Sequence, residues 1–155
     1  QSLYPGMKDV FRSQGYKRDA VVFPDAQSFL QRLQTLNFQV VLLSSRPYHK
    51  YRRIFADTLE WLKKNDLEYD QIIFEQDKRE WAVQFSKEIV FCVEDDPHQA
   101  LKMAEVGLKI FLIDRGYNQG VKHENIYRIY SLAEIIEKAE NSNENSFDFA
   151  HSRPS

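Results

Sequence analysis

One cysteine, Cys92, stands in the 155 residues, which leaves no partner for an internal disulfide and too few thiolates for a cysteine-based zinc site. Its place in an apolar run reads as a buried, inert thiol rather than a nucleophile. Long apolar runs are missing too. None approaches the about 18 residues that a membrane-spanning helix needs, and nothing near the start has the pattern of a signal peptide. Neither sign of charge dominates, with 21 basic residues against 23 acidic ones. Such a balance lacks the basic footprint of a nucleic-acid or anionic-membrane binder. Glycine is scarce, at 5 residues, whereas Phe, Tyr and Trp number 11, 8 and 2; a disordered chain is not built this way. The expectation is a cytoplasmic protein whose length suits one domain with a core of its own.

Periodicity supplies the elements. The first 20 residues are polar and irregular, with room for a short helix around Asp9–Ser13. Behind Pro24 and Asp25, residues Ala26, Phe29, Leu30 and Leu33 recur at helical spacing and predict a helix that Asn37 stops. Val40–Leu43 is a solid apolar run ending at Ser44 and Ser45, the pattern of a strand buried on both faces. Tyr48–Lys64 reads as an amphipathic helix, Tyr69–Phe74 as a strand, Arg79–Ser86 as a helix and Ile89–Val93 as a second strong strand. Asp96 suits the cap and Pro97 the first turn of a helix that runs to about Glu105 and ends at Gly107. Leu108–Ile113 is a further strand, and Ser131–Ala139 a last helix with Ser131 as its cap. From Asn141 the composition turns to Asn, Ser and Glu, so residues 141–155 are expected to be a disordered polar tail.

Solid apolar strands alternating with helices predict a three-layer, Rossmann-like α/β domain with a parallel sheet. In such sheets the chemistry gathers beyond the carboxyl ends of the strands. After Val40–Leu43 come Ser44, Ser45, Arg46 and Pro47; after Tyr69–Phe74 come Asp77 and Lys78; after Ile89–Val93 come Glu94, Asp95 and Asp96. A hydroxyl followed by backbone amides can hold phosphoryl oxygens. An ammonium offsets crowded negative charge, and carboxylates suit magnesium, which shares itself between protein, water and phosphate. Singly, each has an ordinary reading: a strand-to-loop turn, a solvated lysine, acids at a helix start. Together, and in this order, they point to a phosphate and a divalent metal.

Hydroxyl first, lysine second and acids last is also the order of motifs two, three and four in haloacid-dehalogenase-like phosphohydrolases, which the chain resembles. Val40-Val41-Leu42-Leu43-Ser44-Ser45-Arg46-Pro47 resembles the second motif, Gln76-Asp77-Lys78 the third and Phe91-Cys92-Val93-Glu94-Asp95-Asp96-Pro97 the fourth. The third motif, and the Tyr48–Leu67 stretch with Thr58-Leu59-Glu60-Trp61-Leu62, are similar to the 5′(3′)-deoxyribonucleotidase and polynucleotide-phosphatase branch. The resemblance implies a haloacid-dehalogenase-like core over residues 1–140, with residues 1–20 as the remnant of a small cap. It implies Ser44 and Lys78 as the catalytic pair that holds and neutralises phosphate, with Ser45 and Arg46 toward the substrate. Asp95 is then a magnesium ligand and Glu94 a second, indirect one, departing from the usual Asp.

The family's first motif, an apolar strand ending in Asp-x-Asp, has no counterpart; the nearest stretch, Val21-Val22-Phe23-Pro24-Asp25-Ala26, places proline where the nucleophile belongs. That motif's strand lies in the middle of the sheet, so the expectation is either that its segment lies upstream of Gln1 or that a strand from elsewhere replaces it. The function implied is magnesium-dependent hydrolysis of a phosphomonoester, a nucleotide or a nucleic-acid end phosphate, through an aspartyl-phosphate. The alternative is an inactive relative that binds a phosphorylated ligand or a protein partner.

Overall fold

The computed structural model describes residues 22–47 and 49–141, with the side chains of 139–141 left aside. The expected cap remnant, the Asp9–Ser13 helix and the tail beyond residue 141 lie outside the described residues, as does Tyr48. The chain divides into two compact units, Gln1–Gln76 and Asp77–Ser155. Each has a parallel sheet of its own, and each is described by itself.

In the first unit α1 (Ala26–Thr35) leads to β1 (Val41–Ser44), then to α2 (Arg53–Lys64) and β2 (Gln71–Phe74). The two strands pair in parallel from Val41↔Gln71 to Ser44↔Phe74, with a helix as the crossover that parallel pairing requires. Phe29 and Leu33 of α1 are buried, as are Ile54 and Leu62 of α2, so the apolar stripes face the interior at these positions, while Phe55 of α2 stays exposed. Both helices leave through a non-glycine residue in the left-handed region, Asn37 at φ 69° and Asp66 at φ 51°. In each case the N–H groups just after the helix return to its last carbonyls. The helix expected from Tyr48 begins five residues later, at Arg53, because residues 49–52 form turns after Pro47.

The second unit runs α3 (Lys78–Gln84), β3 (Cys92–Glu94), α4 (Pro97–Glu105), β4 (Ile110–Ile113), a 3₁₀ turn (Gly116–Asn118), β5 (Ile126–Ile129) and α5 (Ala133–Asn141). The sheet order is β3-β4-β5, all parallel. β4 lies between two neighbours and is its most buried strand, with Ile110 and Leu112 at 0% exposure. These two pack with Ala82 of α3 and with Ala100, Met103 and Ala104 of α4. On the other side of the strand Phe111 meets Phe91 edge-on and Tyr127 at a tilt. Asp77 caps α3 through the Arg79 N–H, and Asp96 caps α4 through the Gln99 N–H, each at 3.0 Å. Gly107, at φ 91°, ends α4 in a conformation that suits glycine.

Most element boundaries shift by one to three residues from the sequence expectation, and three differences bear on the site. The strand of Ile89–Val93 is reduced to Cys92–Glu94, which makes Glu94 its last residue rather than the first of the loop. The final helix starts at Ala133, and the cap expected of Ser131 is replaced by Glu134, whose Oε2 accepts the N–H groups of Tyr130 and Ser131. β5 has no counterpart in the sequence reading. Truncating Ile110 to Ala should leave a cavity beneath α4 and cost about 2–5 kcal/mol, read as a lower denaturant midpoint at unchanged slope.

Candidate functional site

At the exit of β3 the three consecutive acids have separate roles. Glu94 turns inward: its Oε2 lies 2.5 Å from Lys78 Nζ, and the two side chains are 6% and 13% exposed. Its Oε1 accepts the main-chain N–H groups of Asp95 and Asp96, at 3.0 and 3.1 Å. Both oxygens are therefore committed within the fold. Asp96 is spent on the α4 cap. Asp95, half-buried, presents the remaining carboxylate, and Tyr117 donates its hydroxyl to Asp95 Oδ2 at 2.5 Å. Partial burial first, and then the Asp95 carboxylate, push the Tyr117 phenol up to about 12.

Behind this carboxylate is a polar network closed by Asn118, which is 1% exposed. Its Nδ2 donates to the carbonyls of Asp95 and Ile113, at 2.9 and 2.8 Å. Its Oδ1 accepts from the Arg115 main chain at 3.1 Å and from Arg128 Nη1 at 2.8 Å. Arg128, on β5, also donates to the Asn118 carbonyl and pairs with Asp114 at 2.8 Å. Hydrogen bonding from Gln119, then from Arg128, holds the Asp114 carboxyl below its ordinary range. Sequence reading passed over Tyr117, Asn118 and Arg128. The strand-exit rule, applied after Leu108–Ile113 as it was after the other strands, would have brought up Asp114 to Asn118.

In the first unit, Ser44 ends β1, and its Oγ accepts the Arg46 N–H at 3.3 Å. Arg46 Nη1 donates to Thr58 Oγ1 at 2.7 Å, and Thr58, buried on α2, donates onward to the Ile54 carbonyl at 2.6 Å. Arg46 is thereby anchored at the exit of β1, and the exposed Ser45 lies between it and Ser44. Ser44, Ser45 and Arg46 thus belong to one unit, and Lys78, Glu94 and Asp95 to the other.

Two outcomes follow. Removing one partner of a buried ion pair strands the other charge, so Lys78→Met should cost about 3–5 kcal/mol. Adding Glu94→Gln should recover much of that loss in a denaturant series. Cys92 is the second case: burial, then the Glu94 charge, push its thiol up to about 12. At pH 8 its thiolate fraction is then about 10⁻⁴, against a substantial share for a free cysteine. Alkylation of the folded protein should be more than about a hundredfold slower than of the denatured chain, and should accelerate as pH rises.

No protein-family model matches the chain. A nucleotidase of Clostridium acetobutylicum is 31% identical over 80 residues, 50% of this chain and 41% of that protein, so the match spans less than half of the relative's length. Among solved structures, the D,D-heptose 1,7-bisphosphate phosphatase from B. bronchiseptica, complexed with magnesium and phosphate, aligns with a TM-score of 0.58. The alignment covers 79% of this chain and 85% of that one at 17% identity, so the likeness is one of fold. The parallel sheets, the helical crossovers and this likeness agree: the chain has the Rossmann-like, haloacid-dehalogenase-like α/β fold.

Proposed function

We propose that this chain supplies the phosphate- and magnesium-binding side of a phosphohydrolase that acts on a phosphomonoester, with nucleotides or nucleic-acid end phosphates as the substrate class. The observation that carries the reading is the arrangement at the exit of β3. Lys78 and the main chain consume Glu94, so Asp95 is the carboxylate offered outward. Among the described residues no three His, Cys, Asp or Glu side chains gather to hold a metal by themselves. One outward carboxylate fits magnesium, which binds through one or two carboxylates and completes its shell with water and substrate oxygens. When bound, the ion supplies positive charge to the phosphoryl group. Glu94 acts indirectly, by fixing Lys78 and the main chain of Asp95.

In the first unit Ser44, with the amides after it, is the group suited to phosphoryl oxygens; in the second, Lys78 is the one suited to offset negative charge. Ser45 and the anchored Arg46 meet a second charged group of the substrate. None of these is placed as an in-line nucleophile; that role falls to the first aspartate of an upstream Asp-x-Asp segment. The nucleotidase relative and the phosphatase fold neighbour support this reading.

The test is phosphate release by the full-length protein from nucleoside monophosphates, 3′-phosphorylated oligonucleotides and sugar phosphates, with magnesium or with chelator. Release that needs magnesium and falls at least about a hundredfold in Asp95→Asn is expected. Residues 1–155 alone should release none. Turnover indifferent to chelator overturns the reading, and robust turnover by residues 1–155 moves the nucleophile to Asp25 or another group. Phosphate binding without turnover in the full-length protein identifies a non-catalytic relative.

A further inference from the structure

We propose that Tyr117 and Asn118, on the turn after β4, are positioning residues that hold Asp95 for a divalent cation, Asn118 through its main chain and Tyr117 through its carboxylate. This rests on the reading of Asp95 as the metal-binding group.

Asn118 is an amide buried to 1% exposure in a place where an apolar side chain would leave polar groups stranded. Its two donor bonds go to the carbonyls of Asp95, just past the end of β3, and of Ile113, the last residue of β4. Its acceptor takes Arg128 from β5. One side chain therefore ties the exits of β3 and β4 to each other and to Arg128 of β5, and the position of the Asp95 backbone depends on it.

Tyr117 differs in kind. At 63% exposure its ring adds little to any core, yet its hydroxyl rests on Asp95 Oδ2 at 2.5 Å. The contact fixes the rotation of the carboxylate group, a torsion that is otherwise broad. Carboxylates that ligate metals are commonly oriented by such hydrogen bonds, and losing one typically weakens affinity by about 10–100-fold. Because the ring is open to solvent, the contribution of the hydroxyl separates from that of the fold.

Magnesium titration by calorimetry on the full-length protein decides the matter, using wild type, Asp95→Asn, Tyr117→Phe and Asn118→Ala. Tyr117→Phe should bind magnesium about tenfold more weakly while melting at the wild-type temperature in chelator. Asn118→Ala should lose affinity too, with a lower melting temperature; should it fail to fold, Tyr117→Phe still gives the answer. Loss of binding in Asp95→Asn with wild-type affinity in Tyr117→Phe overturns the positioning role and leaves Asp95 as ligand. Wild-type affinity in Asp95→Asn overturns both. A Tyr117→Phe protein destabilised equally with and without magnesium assigns the hydroxyl to the fold alone, and overturns the inference as well.

Discussion

The organisation of the second unit's strand exits depends on the ion pair between Lys78 and Glu94. A carboxylate that is 6% exposed requires a partner and further hydrogen bonds, and Glu94 has both: the ammonium on one oxygen, two main-chain N–H groups on the other. Those two N–H groups belong to Asp95 and Asp96, so the same carboxylate sets the direction in which the chain leaves β3. Asp96 then arrives where it can cap α4, and Asp95 is turned outward. Buried ion pairs add little net stability compared with apolar packing, and their value lies in geometry. Here the geometry is what sorts three adjacent acids into a structural anchor, an outward carboxylate and a helix cap.

Much of this was visible in the residues themselves. The strand and helix order from Val40 to Ile113 survives almost intact, because solid apolar runs and helical spacing report burial, and burial decides both elements. Asn37, Asp96 and Gly107 act as the local signals suggest, since caps and left-handed exits are decided within a few residues. Lys78 pairs with Glu94 of the acidic cluster. Spacing alone did not separate Glu94 from Asp95; only the family resemblance gave them different roles. Their types are nearly equivalent, and only the side chains that reach them distinguish inward from outward.

The omissions have a common physical origin as well. β5 reads Ile126-Tyr127-Arg128-Ile129, too short and too polar for a buried strand, because its charged residue is recruited into a network rather than solvated. Tyr117 and Asn118 act on a residue more than twenty positions away. No pattern within a window of sequence contains that information. Thr58 illustrates the same limit: an ordinary helix residue by spacing, it becomes the anchor of Arg46 only once α2 is laid beside the exit of β1.

The sheets carry one further implication. β4, paired on both sides, buries three of its four residues, whereas Val41, Leu42 and Leu43 of the equally apolar β1 are only half-buried. β1 has no charged residue, and β3 has only Glu94, whose charge Lys78 takes up. The opposite edges are different, with Gln71 on β2 and Tyr127 and Arg128 on β5. Proteins protect exposed strand edges with charge, proline or a covering element, and leave apolar edges where another strand pairs. β1 and β3 are edges of the second kind among the described residues. Each of these edges, within its own unit, therefore has the character of an edge suited to pairing with a further strand rather than of one protected from it.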